Sequence, residues 1–428
     1  MTKILKILKK IIPNWVVRLF RSPYHFLLAW VGSIYYRKPA REITIIAVTG
    51  TKGKTTVTEL IAHLLRSANK DVAVSNTIHF QIKDEDTRNL RKMSMPGRFF
   101  MQSFLRRSVE AGCDYVVVEM TSEGAKQFRH RFIDIDTLVF TNLSPEHIES
   151  HGSFEKYRDA KLSIARQVAR SEKQPTTLVV NTDDKNAEYF LDIDVDQHIE
   201  YQLTQAEPYS DTRSGASINV GGTRINTNLF GEFNIYNMVS AIAAVRAHEL
   251  EDTEIAVGLQ SFPGVRGRLE RIESDADFSI YVDYAHTPDS LKQVYETFSG
   301  REKVCVIGNA GGGRDTWKRK EMAKLAESHC RHIILTDEDP YDEDPKKIVE
   351  EMARAISIPK YEIIMDRRQA IRAAFKEATA GDVVLLTGKG TDPYIMRENG
   401  KKEVWDEATV AREELKKMKS AYRITKSN

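Results

Sequence analysis

Residues 43–56, Ile-Thr-Ile-Ile-Ala-Val-Thr-Gly-Thr-Lys-Gly-Lys-Thr-Thr, decide how the chain is read. The β-branched apolar run at 43–48 predicts a buried strand. Gly50 and Gly53 then break the chain, and residues 57–67 carry helix formers at helical spacing. Strand, glycine turn and helix together make a phosphate cradle, because a helix start leaves four backbone N–H donors unpaired at the positive end of its dipole. In that cradle Gly50, Thr51, Lys52, Gly53 and Thr56 form the nucleotide loop. Lys54 is placed to reach the β- and γ-phosphates, and the Thr55 hydroxyl to ligate Mg²⁺. The loop is a narrow variant of the general P-loop pattern: Val48 stands where the first glycine belongs, and Gly50 follows two residues later.

Working outward, a chain of 428 residues has room for two or three domains with large cores. Its formal net charge of +2, with 29% charged and 41% hydrophobic residues, excludes a nucleic-acid-like polycation and a disordered chain. Of the three cysteines, Cys113, Cys305 and Cys330, none has a metal-ligand or redox spacing. Cys113 and Cys305 lie in or beside apolar strand-like runs, as reduced core cysteines do, which predicts a cytoplasmic protein. No cleavable signal is evident.

Residues 1–41 hold nine Lys and Arg and no acidic residue, among Ile, Leu, Phe and two Trp. The apolar stretch at 24–36 is shorter than the ~20 residues a crossing helix needs. Such a basic amphipathic segment either lies peripherally on an anionic membrane surface, with Trp15 and Trp30 at the interface, or straps onto the next domain. From 42 to 262 strands (43–48, 72–75, 115–119, 137–140, 177–180) alternate with helices, which predicts an α/β domain with a mostly parallel sheet. Residues 201–229 alternate polar and β-branched side chains, as in a small antiparallel insertion, and 234–249 read as an Ala-rich helix. The run Phe262-Pro-Gly-Val-Arg-Gly267 is the expected linker to a smaller, Rossmann-like α/β domain at 263–428.

Two strand ends carry further chemistry. Glu119 closes the apolar strand at 115–119, followed by Met120, Thr121 and Ser122. Ligand crevices of open α/β sheets lie off the carboxyl ends of the strands, so Glu119 can share Mg²⁺ with Thr55. Past the strand at 137–140 come Asn142, His147, Glu149 and His151, with Lys161 on the next helix. This suits metal or acid–base work, and a surface loop explains it equally well.

These motifs, together with Gly231-Glu-Phe-Asn234-Ile-Tyr-Asn237, Gly267-Arg268-Leu-Glu270, Val282-Asp283-Tyr-Ala-His286-Thr-Pro288 and Gly388-Lys389-Gly390, stand in the order and spacing of the Mur ligase family. Over residues 42–411 the chain resembles the branch that adds the third residue to UDP-N-acetylmuramoyl-L-alanyl-D-glutamate. The resemblance implies an ATP-dependent acid–amino-acid ligase: a carboxylate takes the γ-phosphoryl of ATP, and an amine displaces phosphate from the acyl phosphate. It gives Thr55 and Glu119 one Mg²⁺, His147 a second, and Lys161 the place of a lysine that this family carbamylates. It makes Lys54, Lys161 and His147 the catalytic set. It sets Asn234 and Asn237 near the adenine, and Arg268 and Asp283 at the γ-phosphate and ribose, so that ATP is clamped by domain closure. Ser122, Arg314, Asp337, Asp339, Tyr341, Gly388 and Lys389 fall at substrate positions.

The departures are informative. Relatives that use UDP-sugars carry a whole amino-terminal domain for the uridine nucleotide, whereas about forty residues precede the first strand here. The resemblance makes a muramoyl-peptide precursor the expected acceptor, whereas the short stretch before the first strand favours the alternatives, a folate, a polyamino acid or a lipid-linked precursor; a nucleotide-binding switch at a membrane surface is the non-catalytic alternative. Tyr341 stands where diaminopimelate-adding members place an Arg that grips the amino acid's carboxylate. The acidic run of Asp337, Glu338, Asp339 and Asp342 suits a cationic side chain such as lysine, or is a solvated loop.

Overall fold

A computed structural model describes residues 14–146, 148–212, 215–313, 316–358 and 360–426. The chain divides into two compact units, one of Met1–Pro208, Asn219–Thr223 and Tyr236–Leu259, the other of Tyr209–Ile218, Arg224–Ile235 and Gln260–Asn428. The sequence places a single boundary at 262/263; in the structure most of the antiparallel insertion goes with the second unit.

The first unit is built on an eight-stranded sheet. Its strands are β1 (Thr44–Thr49), β2 (Val72–Ser75), β3 (His79–Ile82), β4 (Glu85–Arg88), β5 (Tyr115–Glu119), β6 (Thr137–Phe140), β7 (Thr177–Asn181) and β8 (Gln197–Tyr201), in the order β4-β3-β2-β5-β1-β6-β7-β8. Only β3 and β4 run antiparallel to their neighbours. Central strands buried on both faces need apolar residues throughout: Ile45, Ile46, Ala47 and Val48 of β1 are fully buried. The β3–β4 hairpin escapes a pattern reading because Glu85, Asp86 and Arg88 make β4 a charged edge. Helices α1 (Asn14–Tyr35), α2 (Lys54–Ser67), α3 (Arg98–Glu110) and α4 (Phe154–Val168) belong to this unit.

Helix α1 packs on α3, with Gly32 close enough to Phe99 that a Cβ there would meet its Cα at 3.8 Å. Arg106 of α3 donates to the carbonyls of Tyr36 and Arg37 just past α1 and pairs with Glu42, which satisfies acceptors that a helix end leaves open. Of the two readings left open for residues 1–41, packing on the next domain is seen for 14–41; residues 1–13 lie outside the described residues. Among the described residues no helix is long and apolar enough to cross a membrane.

The insertion forms the three-stranded sheet β11-β10-β9, from β9 (Ser210–Thr212), β10 (Gly215–Val220) and β11 (Thr223–Asn226). The second unit carries a six-stranded sheet, β12-β13-β17-β14-β15-β16, with β12 (Glu270–Ile272), β13 (Ser279–Val282), β14 (Lys303–Ile307), β15 (His332–Leu335), β16 (Tyr361–Ile363) and β17 (Val383–Leu386). All but β12 run parallel. Cys305 and Cys330 are joined as a disulfide, which corrects the expectation that Cys305 is a reduced core thiol; Cys113 alone is free. Both paired cysteines are buried where β14 meets the segment leading into β15.

Candidate nucleotide and metal site

In the first sheet β1 has β5 on one side and β6 on the other, so the chain's winding reverses beside β1 and a crevice opens at the carboxyl ends of these three strands. The predicted phosphate loop, the end of β5 and the segment after β6 all meet there. Gly53 is the residue before α2 and holds φ 81°, a left-handed conformation that costs a residue with a Cβ about 1–2 kcal/mol. A Cβ on Gly53 would also lie 2.3 Å from Asn237 Oδ1, and one on Gly50 1.9 Å from Thr141 Oγ1. Among the described residues no side chain caps the start of α2, which leaves that end of the dipole to a ligand.

The loop is braced from β6. Thr51 N donates to Asn142 O at 2.8 Å and Lys52 N to Asn142 Oδ1 at 2.9 Å, while Thr141 Oγ1 donates to Lys52 O at 2.7 Å. Two of the loop's N–H groups are therefore committed to Asn142 rather than aimed inward. Lys54 is folded back, its Nζ 2.7 Å from Thr51 O, and the Thr51 hydroxyl lies 2.9 Å from Tyr157 Oη. Thr56 is buried in the first turn of α2.

Thr55 and Glu119 come together as the sequence expects: Thr55 Oγ1 donates to Glu119 Oε2 at 2.9 Å. The Glu119 carboxylate is 3% exposed and also accepts from Thr77 Oγ1 at 3.0 Å, Thr77 N at 3.2 Å and Ser94 Oγ at 2.9 Å. It forms no ion pair with a described residue, and its neighbours are hydroxyls and one amide. A buried anion amid oxygen ligands suits a hard cation such as Mg²⁺. No group of three or more His, Cys, Asp or Glu side chains placed to hold a metal ion stands among the described residues. His147 lies outside them.

Lys161, on α4, is 1% exposed and donates from Nζ to Gly50 O at 2.5 Å. Burial first, and then the nearby Lys54 ammonium, pull its amine well below the usual lysine range, against the opposite pull of Glu146 and Glu119. Such an environment favours the uncharged, nucleophilic amine. Asn237, on the helix Glu232–Arg246, is buried against the loop. Ser122 is buried in the short helix Ser122–Lys126, which Thr121 caps.

Sequence reading missed the supporting shell. Asn142 was visible in its motif without a role; Thr77, Ser94 and Tyr157 have no local signature, since only the tertiary fold brings them to Glu119 and Thr51.

The second unit holds its own polar cluster at the carboxyl ends of β14, β15 and β17. Lys389 is fully buried, its ammonium 2.9 Å from Asp339 Oδ1, 3.4 Å from Asp392 Oδ2 and 2.8 Å from Tyr394 O. Asp337 pairs with Arg397, and Asp342 accepts from Asn399 N at 2.7 Å. Glu338 is 5% exposed, and its Oε2 has no hydrogen-bond partner among the described residues. Burial pushes its carboxyl up to about 7, despite the Arg367 and Lys389 cations facing it. A Cβ on Gly388 would fall 2.3 Å from that Oε2. Tyr341 sits at φ 54°, with its N donating to Met396 O. Asp283 accepts from Leu269 N and Ala285 N, both at 2.7 Å, and burial raises its pKa. The Arg268 guanidinium lies 4.5 Å from the centre of the Tyr284 ring, and Asn234 Nδ2 donates to Phe230 O. Arg314 lies outside the described residues.

Comparison with known proteins agrees with this geometry. Residues 48–245 match the Mur ligase middle domain and residues 267–390 the Mur ligase, glutamate ligase domain. The chain is 33% identical over 404 residues to the UDP-N-acetylmuramoyl-L-alanyl-D-glutamate–2,6-diaminopimelate ligase of Geobacillus kaustophilus, covering 91% of this chain and 82% of that one. It is also 33% identical over 398 residues to UDP-N-acetylmuramyl-tripeptide synthetase 2 of Oceanobacillus iheyensis, with 90% and 80% covered. A solved UDP-N-acetylmuramoyl-L-alanyl-D-glutamate–2,6-diaminopimelate ligase superimposes with a TM-score of 0.62 at 30% identity, over 88% of this chain and 79% of that one. Mycobacterium tuberculosis folylpolyglutamate synthase complexed with ADP gives 0.67 at 17% identity, over 86% and 92%, and shares the fold. The chain belongs to the Mur ligase family, among the ATP-dependent ligases of the UDP-N-acetylmuramoyl-tripeptide synthetase branch.

Proposed function

We propose that the enzyme joins an amino acid with a cationic side chain to the terminal carboxylate of a muramoyl-peptide precursor. The observation that carries the ligase chemistry is the Thr55–Glu119 contact at the end of β5, beside a phosphate loop whose Gly50 carbonyl holds Lys161. A carboxylate is a poor electrophile, so it first takes the γ-phosphoryl of ATP; the amine then attacks the acyl carbon, phosphate leaves, and the ammonium proton goes to solvent. Lys54 neutralises charge on the phosphoryl group in flight, and the loop fixes its position. Thr55 and Glu119 would hold one Mg²⁺, and His147 with a carbamylated Lys161 the second; bound there, Mg²⁺ supplies charge stabilisation to the phosphates. Carbamylation joins the uncharged Lys161 amine to the carbon of CO₂ and releases one proton, turning a neutral group into an anion. Asn234, Asn237, Arg268 and Asp283 are proposed to serve the nucleotide, and Ser122, Arg314 and Gly388 the substrates.

Selectivity for a cationic amino acid is supported by the state of the acidic run. Asp337 and Asp339 are already engaged by Arg397 and Lys389, whereas Glu338 keeps an unpartnered oxygen. We place the enzyme in the cytoplasm, with residues 1–41 in peripheral contact with the inner membrane surface. The deciding experiment is ATP-dependent phosphate release across a matrix of acceptor carboxylates and amino acids, with product masses. Release with a muramoyl dipeptide and lysine, and a product heavier by one lysyl residue, is expected. Turnover with folate or polyamino-acid acceptors only, or with anionic amino acids only, overturns the assignment.

A further inference from the structure

Helix α1 uses only part of its circumference to hold the first unit. At 3.6 residues per turn, Phe26, Leu27, Trp30, Val31, Ile34 and Tyr35 fill an arc of roughly 180°, while the side chains turned to the protein fill the rest. All six are exposed, Leu27 by 54%, Trp30 by 47% and Ile34 by 48%. No charged residue interrupts α1 between Ser22 and Tyr35. A continuous apolar face of this kind is uncommon on a free surface and marks an interaction site.

The charge around that face selects its occupant. Residues 1–41 carry nine basic residues and no acid, and Arg37 and Lys38 stand exposed just past the helix. Beside α1 runs a groove of about 440 Å³, lined by Phe26, Trp30, Ile34 and Phe132 together with Arg131 and Arg170. Arg41, at the same groove, is neutralised by Asp134 and Glu172. Arg131 and Arg170 form no ion pair with a described residue, although each guanidinium lies within the other's field, which helps hold the Arg131 pKa below its usual value after burial has done most of the lowering. Apolar side chains with a Trp, next to paired guanidiniums, match the boundary between acyl chains and phosphate headgroups.

We propose that the exposed arc of α1 lies in the plane of a bilayer containing anionic phospholipid, with Arg131 and Arg170 facing headgroup phosphates. This deepens the peripheral contact proposed above and rests on it, by naming the face and the lipid class. The helix is anchored to its own domain by the opposite arc and at the two edges of the exposed one, where the Phe26 ring lies 5.1 Å from that of Phe132 and the Tyr35 ring 6.4 Å from that of Phe99, so docking needs no rearrangement of α1.

The test uses the full-length protein with vesicles of phosphatidylcholine, with or without phosphatidylglycerol, at low and high salt. Each cation near an anionic surface contributes ~1 kcal/mol, so inclusion of phosphatidylglycerol raises partitioning at low salt by at least about tenfold, and salt reverses it. The double variant Leu27→Glu/Ile34→Glu loses at least about tenfold in partitioning while its melting temperature still rises with ATP; both side chains are exposed, so the fold is spared. Arg170→Glu weakens binding to anionic vesicles and leaves that to phosphatidylcholine as it was. Full binding by the double variant would overturn the face while keeping membrane contact. Absence of vesicle binding by the parent protein overturns both, and a dimer in light scattering that the double variant dissociates would assign the face to a second copy instead.

Discussion

Replacing Glu338 by Gln isolates the energetic cost of one buried carboxylate. Its folded pKa, about 7, lies above the ordinary 4.5 because burial penalises the anion and neither nearby cation is free to bond it. Arg367 is committed to Glu407 and to the carbonyls of Asp337 and Thr387, and Lys389 to Asp339, Asp392 and Tyr394. For an acid whose pKa is raised on folding, the unfolded chain ionises first. Stability is thus intact below the unfolded value, declines as pH rises between the two values, and levels off above the folded one. At 1.36 kcal/mol per pH unit, the interval from 4.5 to about 7 corresponds to about 3 kcal/mol. Glutamine keeps the shape and cannot ionise, so the advantage of Glu338→Gln over the parent grows by that amount between about pH 4.5 and pH 8. With ~2–4 °C per kcal/mol for a unit of this size, the gap in melting temperature widens by roughly 6–12 °C. Any constant effect of the substitution cancels, because only the change of the gap with pH is read. A gap independent of pH would show that the folded carboxylate titrates normally and would refute the burial argument.

Three other outcomes follow from the first unit. Lys54→Ala lowers the rate of ATP-dependent phosphate release by on the order of 10²–10³, with an unchanged melting temperature, since a loop lysine supplies charge to the transition state and little to the core; near-normal turnover would sink the phosphate-loop assignment. Lys161→Ala loses activity and regains part of it with a small carboxylate such as acetate, whereas Lys161→Arg stays inactive; an active Arg variant would falsify the carbamate. Gly53→Ala imposes about 1–2 kcal/mol of left-handed strain and pushes on Asn237, so ATP raises the melting temperature of this variant less than that of the parent, and an equal rise would exclude a tight loop at this position.

The features legible in the sequence are those encoded locally. The strands β2, β5 and β6 fall at the residues their apolar runs predict, since a strand covered on both faces is apolar along its interior and carries polar residues only at its ends. Helix α2 begins three residues earlier than its apolar periodicity, at Lys54, because the phosphate loop closes directly into its first turn. What escaped reading is encoded at a distance. The β3–β4 hairpin is polar along its outer strand, and the hydroxyls of Thr77 and Ser94 reach Glu119 only after β2 pairs with β5. The Cys305–Cys330 bond joins residues 25 apart whose neighbourhoods look merely apolar, so nothing local separates a buried thiol from a bonded one.

In the substrate pocket proposed at 337–342, a charge count alone overstates the negative charge on offer. Four carboxylates suggest a strongly anionic site, yet Asp337 meets Arg397, Asp339 meets Lys389, and Asp342 takes a backbone N–H. The attraction offered to a cationic amino acid is then set by Glu338, whose carboxyl is neutral below about 7 and anionic above it. A positively charged side chain is drawn only by the anion, so kcat/KM for lysine rises as pH increases through that value and flattens beyond it. An uncharged amino acid of similar length lacks this rise, which separates Glu338 from any general effect of pH on ATP or on the attacking amine. Glu338→Gln removes the difference between the two profiles by lowering kcat/KM for lysine to the level of the uncharged analogue. If lysine keeps its advantage in that variant, the cation is recognised elsewhere, and the internal pairing of Asp337 and Asp339 must open to receive it.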